Sequence, residues 1–313
     1  MSNSDNQPSI RLSDQLPDRL PLSHLLLALA IVAIWGTNFV VIKKSLDAFP
    51  PFLFATLRYV FALLPAIFFV KRPNVSWLNL AMYGIFIGVG QFGILFYAIN
   101  GHITPGLASL VVQTQVFFTI GFAMIFAKER LYWHQAISIG IAMIGLLVIA
   151  SHIDNQTSLL GIGLVICAGC AWGAGNTVSR QAGAINMFAY VVWASAFSIP
   201  PLLGLSLYFE GGYTHLISTL ELAPWGAWVG VFWQSWANTL FGYAAWAWLL
   251  SKHPAALVAP APLLVPIFGM GATAIFLGES LPGWKFLAAA LVMVGYLGTI
   301  YGLSFTKHSL RKS

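Results

Sequence analysis

Ten apolar runs, each close to the length that crosses a bilayer, dominate this chain and decide what it can fold into. They fall at 25–42, 51–70, 77–98, 105–127, 134–150, 159–178, 187–209, 225–250, 255–277 and 284–303. A bilayer's hydrocarbon core is roughly 30 Å thick, which about 20 helical residues span. The runs therefore predict an all-α integral membrane protein of ten transmembrane helices. The connections are short, so the helices should form one bundle. Composition agrees. Only 8% of residues are charged and 58% are hydrophobic, whereas an average soluble domain is about 25% charged. So few charges cannot coat a soluble protein of this size.

The net charge of +6 would raise the question of nucleic acid in a soluble domain. Here the cations sit between apolar runs and read as topology signals, with no nucleic-acid partner implied. With the amino terminus inside, the inner segments hold Arg11, Arg19, Lys71, Arg72, Lys128, Arg130, Arg180, Lys252, Lys307, Arg311 and Lys312. The outer loops hold only Lys43, Lys44 and Lys285. This bias predicts both termini in the cytoplasm and an even number of spans. Residues 1–23 are polar and lack the apolar stretch and cleavage site of a signal peptide, so they read as a cytoplasmic tail. Residues 305–313 read as a second tail.

The chain also contains itself twice. Trp35-Gly36 is matched by Trp172-Gly173 and Lys43 by Arg180, each cation eight residues after its Trp; Asn38 follows the first Trp by three and Asn176 the second by four. Late in each half, Glu129 precedes Gly145 and Glu279 precedes Gly295 by the same sixteen positions. The repeats, 24–150 and 151–304, hold five spans each. An odd count turns the second repeat upside down relative to the first. Two inverted five-helix repeats around a central cavity are a common basis of alternating access, with the substrate near the midplane between them.

The stretch Trp35-Gly36-Thr37-Asn38-Phe39-Val40-Val41-Ile42-Lys43 resembles the start of an EamA-type repeat of the drug/metabolite transporter superfamily. Leu57-Arg58-Tyr59 and Gly106-Leu107-Ala108-Ser109-Leu110 extend the resemblance. Ala259-Pro260, Leu263-Leu264-Val265-Pro266 and Gly278-Glu279-Ser280-Leu281 carry it through the second half. It is most similar to the bacterial O-acetylserine/cysteine exporter branch. The resemblance implies a multi-pass protein of the cell inner membrane that exports small amino acids or related metabolites. A broad-specificity drug/metabolite efflux carrier is the alternative. The halves differ where Ser280 follows the second glutamate and Arg130 the first.

A polar group buried in lipid needs a reason. All nine acidic residues lie in tails or at span ends, so no midplane carboxylate is on hand to carry a proton, and uniport, exchange or coupling through some other group is expected. Arg58 lies well inside an apolar run. It reads as a counter-charge for a substrate carboxylate, or as a cation snorkelling to headgroups. Asn38 shares a helix stripe with Trp35, and Asn176 shares one with Trp172. An amide can donate to a carboxylate and accept from an ammonium, which suits a zwitterionic amino acid. Helix-to-helix hydrogen bonding is the other reading. Gln91 and Tyr97 mark the third span, and Gln113 and Gln115 the fourth. Two residues apart, these last cannot share a face, and Gln113 is the one taken as cavity-lining. Gln234 and Asn238 share a stripe in the eighth span. Pro260, Pro262 and Pro266 predict a broken helix or hinge in the ninth, because each removes an amide donor. Gly84/Gly88, Gly169/Gly173 and Gly298/Gly302 invite close helix packing, within the chain or in a homodimer.

A membrane-embedded enzyme is the rival from another class. The seven histidines are scattered at span ends, with no HExxH and no pairing to a carboxylate. There is no GxxxxGK[ST] for ATP. Cys167 and Cys170 sit inside an apolar span, where packing on one face is the expected role. No cofactor and no metal is expected. The partners are a small-molecule substrate and the lipid bilayer.

Overall fold

The computed structural model describes residues 20–126, 133–152, 156–183, 185–253 and 261–309. Among them there are helices and no strand. The helices are α1 (Leu22–Leu46), α2 (Pro51–Leu63), α3 (Trp77–Ile99), α4 (Pro105–Phe126), α5 (Trp133–Ala150), α6 (Leu159–Gln181) and α7 (Met187–Phe209). They continue as a short α8 (Gly212–Leu222), then α9 (225–252), α10 (Val265–Leu277) and α11 (Gly283–Ser309). Six of these tracts are long and apolar enough to cross a membrane, namely α1, α2 with its following turn, α3, α4, α6 and α7. Shorter apolar stretches lie at Ala136–Ala150, Val265–Leu277 and Gly283–Gly295. Large apolar side chains such as Phe68, Phe69, Ile275 and Phe276 face outward at 62–83% exposure, a surface that suits lipid rather than water.

Where helices depart from the apolar runs, local chemistry explains it. The second run reads as helical to 70, but α2 stops at Leu63 because Pro65 pushes Leu64 into extended backbone. A short 3₁₀ turn, Ala66–Phe68, follows. The loop expected at 210–224 contains α8, entered through Gly211 and Gly212 at φ +90° and +71°, angles that glycine adopts without strain. The last helix runs on to Ser309, past the expected start of the tail. Of the three prolines expected to break the ninth span, Pro260 lies outside the described residues. Pro262 stands in a 3₁₀ turn, Ala261–Leu264, and Pro266 in the first turn of α10, where a missing amide donor leaves no intrahelical bond unmade.

Two helices change their winding midway. In α3, residues Ile85–Gly93 form a π-helix, and in α9 so do Trp233–Phe241. Such i→i+5 winding is rare and concentrates at functional sites. A 3₁₀ turn, Val112–Thr114, interrupts α4 at the place that matches the turn ahead of α10.

Helix pairing rests on small residues. α1 lies against α10, α6 against α4, α2 against α7, and α5 against α11. A side chain at Gly36 would collide with Phe268 and with the Val265 carbonyl, 2.7 Å away. At Gly173 it would meet Phe118 at 2.8 Å. The two matched Trp-Gly glycines thus seat α10 on α1 and α4 on α6. Gly145 and Gly295 lie in the α5–α11 contact, against Val292 and Ala142 respectively. Gly84 and Gly88 face Ala194 and Ser198 of α7, Gly169 faces Thr114, and Gly298 faces Ser138. These glycines pack helices of the same chain.

Two carboxylates bind the helix ends together. Glu210, after α7, accepts from the amides of Phe52 and Leu53 at 2.7 and 3.0 Å. Glu279, after α10, accepts from Gly106 N at 2.9 Å, Thr104 Oγ1 at 2.6 Å and Lys285 Nζ at 2.8 Å. Each thereby satisfies amides that the first turn of a helix leaves without acceptors. The repeat partner of Glu279, Glu129, lies outside the described residues.

Candidate substrate site

Arg58 is the largest fully buried side chain of the bundle, at 0% exposure. It does not snorkel. Its guanidinium points inward between the two π-helical tracts. From α9, Gln234 Oε1 accepts from Arg58 Nη1 at 2.8 Å and Asn238 Oδ1 accepts from Nη2 at 3.1 Å. From α3, the Phe92 ring lies 3.5 Å from the Arg58 Cζ, face on, as a cation–π contact requires. Among the described residues no carboxylate forms an ion pair with Arg58. Among the described residues the cation is held by amide dipoles and by the ring faces of Phe92 and of Tyr59, the latter centred 5.6 Å away.

The amides extend the group. Asn38 Nδ2 donates to Gln234 Oε1 at 3.4 Å. Arginine has only donors, so it fixes which end of Gln234 and of Asn238 faces it. Among the described residues, four of the buried polar atoms without partners lie in or beside this group: Arg58 Nε and Gln234 Nε2, both donors, and Asn38 Oδ1 and Gln91 Oε1, both acceptors. Buried polar groups are nearly always paired, so this concentration of exceptions calls for an explanation. Beside Arg58 lies a cavity of about 10 Å³, bordered by Tyr59, Tyr83, Tyr243, Ser195, Ser198 and Thr239. That is room for about one water molecule. The site is closed.

Of the residues singled out in the sequence, Asn38, Arg58, Gln234 and Asn238 come together. Trp35 joins them at the edge, its Nε1 donating to the Asn238 carbonyl at 3.3 Å. It packs on Tyr243 and Trp246. Gln91 is buried in the α3 π-tract, next to Phe92, with no hydrogen bond to the arginine group. Asn176 stands in a different group, donating to Gln115 Oε1 at 3.0 Å and Thr119 Oγ1 at 3.3 Å. Gln113 is buried in the 3₁₀ turn of α4, and Trp172 is half-buried against the core. Tyr97 lies apart, 41% exposed and stacked on Phe52. Aromatic walls beside Gln234 and Asn238, Tyr243 among them, are expected from the sequence, but sequence reasoning missed Phe92, Tyr59 and Tyr83. No sequence signal set Phe92 apart from the other phenylalanines of the chain.

A buried polar group among apolar helices, with large apolar side chains on their outer faces, is the build of a multi-pass membrane transport protein. The profile of the EamA-like transporter family matches the chain twice, over residues 22–151 and 159–301, and the chain belongs to that family. A probable amino-acid metabolite efflux pump of Escherichia coli K12 is 36% identical over 289 residues, covering 90% of this chain and 96% of that protein. One of Salmonella typhimurium is 37% identical, covering 88% and 94%. A probable terminal-alkyne amino-acid exporter of Streptantibioticus cattleyicolor is 21% identical over 89% of this chain and 94% of its own length. A crystal structure with 15% identity superposes with a TM-score of 0.55, covering 88% of this chain and 95% of that one, a likeness of fold.

Proposed function

We propose that the protein exports small amino acids or close derivatives, of the cysteine and O-acetylserine kind, by alternating access across the cell inner membrane. Arg58 carries this reading. A buried cation with no acid beside it is costly in lipid unless a ligand supplies the charge. A substrate carboxylate does so. The unpartnered donors Arg58 Nε and Gln234 Nε2 suit that carboxylate, and the unpartnered acceptor Asn38 Oδ1 suits an ammonium. One zwitterion uses both. The names of the two enteric relatives agree with the substrate class. With no acid in the group, transport proceeds as uniport or exchange.

The working architecture is ten spans in two inverted repeats, 24–150 and 151–304, with both termini cytoplasmic. The helix pairings support it. Exchanging α1 with α6, α2 with α7, α3 with α9, α4 with α10 and α5 with α11 maps the α1–α10 contact onto α6–α4. It also maps α2–α9 onto α7–α3, and α1–α9 onto α6–α3. The contacts α2–α7, α4–α10 and α5–α11 map onto themselves. The two π-tracts correspond under the same exchange.

Counterflow tests the function. Proteoliposomes loaded with unlabelled cysteine or O-acetylserine are placed in labelled amino acid, with no ion gradient and no ATP. Saturable accumulation that Asn38→Ala weakens is the expected result. No accumulation by folded protein with either load would overturn the amino-acid assignment and move the site to another metabolite or a drug-like substrate.

A further inference from the structure

Gln234 and Asn238 occupy both terminal nitrogens of the Arg58 fork with one oxygen each, at 2.8 and 3.1 Å. A bidentate carboxylate would use a guanidinium fork in the same manner, with two parallel N–H···O bonds. We propose that these two amides are internal stand-ins for the substrate carboxylate, and that they let the empty carrier close and return. The proposal rests on the reading of Arg58 as the carboxylate site.

The chemistry sets the order of events. An empty carrier that closed over a bare guanidinium would bury a charge with nothing opposite it. Two amide oxygens aimed at the fork, with the Phe92 face behind it, remove most of that obstacle. Being neutral, they hold the cation less firmly than a carboxylate does, because they lack the attraction between two opposite full charges. A substrate therefore displaces them. Gln234 is poised to leave: its only other hydrogen bond on Oε1 is the 3.4 Å contact from Asn38, and its Nε2 has no partner. Once turned, Nε2 can donate to the incoming carboxylate. The π-winding of α9 carries both amides, so the stand-ins and the irregular tract belong to one element.

The consequence concerns the mode of transport. With the stand-ins, the carrier can return empty, and net efflux runs alongside exchange. Without them, the return step needs a bound carboxylate, and the protein becomes an exchanger.

The test compares two fluxes of labelled cysteine from proteoliposomes holding the full chain: efflux into cysteine-free buffer, and efflux into unlabelled cysteine. For the native sequence the two rates are expected to be of the same order. In Gln234→Ala and in Asn238→Ala the ratio of net efflux to exchange should fall about tenfold or more, the scale set by one buried hydrogen bond left unmade. Gln234→Glu is the second variant. Its permanent carboxylate should neutralise Arg58, stop both fluxes and raise the melting temperature. An unchanged ratio in the alanine variants, native transport by Gln234→Glu, or a native protein that only exchanges would each overturn the proposal. Absence of any saturable cysteine exchange by the native protein would instead sink the carboxylate reading on which it rests.

Discussion

Glu279 accepts a hydrogen bond from the backbone amide of Gly106 at 2.9 Å, across 173 positions of sequence. The same carboxylate takes Thr104 Oγ1 and Lys285 Nζ, and both Glu279 and Lys285 side chains are at most 7% exposed. It therefore ties the end of α10 to the start of α4. Glu279→Ala strips the α4 amide of its acceptor and leaves Lys285 without its carboxylate. Breaking a buried pair from one side typically costs about 3–5 kcal/mol. Glu279→Gln keeps one acceptor oxygen and should lose less. Melting curves of the purified variants in detergent check this. Equal melting of Glu279→Ala and the native protein would show that the contact adds nothing.

The matched glycines of the α5–α11 contact make a graded prediction. A Cβ at Gly295 would lie 2.5 Å from the Ser138 carbonyl oxygen, a backbone atom that cannot move alone. At Gly145 its nearest neighbour would be a Val292 methyl, 2.9 Å away, on a side chain that can adjust. Gly295→Ala should therefore destabilise more than Gly145→Ala, by about 1–3 kcal/mol, the range for overpacking. At Gly163 a Cβ meets nothing within 4 Å, so Gly163→Ala should be neutral or slightly stabilising through helix propensity. The order of the three melting temperatures is the measurement. Gly295→Ala as the most stable of them would contradict the packing described.

How far the sequence reached can be judged from the residues themselves. Helices in apolar runs are legible because period, length and charge exclusion all act locally. The matched Trp-Gly and Glu-to-Gly spacings were legible too, and Gly36, Gly173, Gly145 and Gly295 do corresponding packing work. The arginine group was only half legible. Arg58, Asn38, Gln234 and Asn238 stood out as polar residues in lipid, but which of them meet depends on how α1, α2 and α9 cross. Asn176 stands four residues after Trp172, whereas Asn38 stands three after Trp35, and it bonds to Gln115, because a one-residue offset turns a side chain about 100° around the helix. The π-tracts left no periodic signature, since nine residues of wider winding barely shift an apolar pattern. Phe92 was hidden for another reason: one more phenylalanine among 23 gives no sign of lying over a cation.

Arg58 itself separates charge from geometry. Lysine keeps the charge but offers a point rather than a fork, so Arg58→Lys cannot span Gln234 Oε1 and Asn238 Oδ1 together. Counterflow by this variant should fall about tenfold or more, with loss of one charge-assisted bond as the scale. Arg58→Met removes the buried charge, leaves Asn238 Oδ1 unpaired and leaves Gln234 Oε1 only the 3.4 Å contact from Asn38. It should abolish counterflow while the protein still elutes as a single folded species. Full counterflow activity in Arg58→Met would exclude the residue from substrate recognition.

The last prediction concerns what the site rejects. No carboxylate pairs with the arginine group among the described residues, and the nearest charge to any bound ligand is therefore positive. A cation meets only repulsion and amide oxygens there, whereas a zwitterion places its carboxylate on Arg58 and its ammonium toward Asn38 Oδ1. Cysteine methyl ester differs from cysteine in carrying no carboxylate, and choline carries a fixed positive charge with no carboxylate. Both should compete with labelled cysteine at least about tenfold less well than cysteine does, since a site built for a hydrogen-bonding group rejects analogues that leave its polar atoms unpaired. The measurement is inhibition of counterflow at equal competitor concentration. Choline competing better than any zwitterion would mean that the site's selectivity comes from its tyrosine walls, and Arg58 would then have to be read as a structural cation.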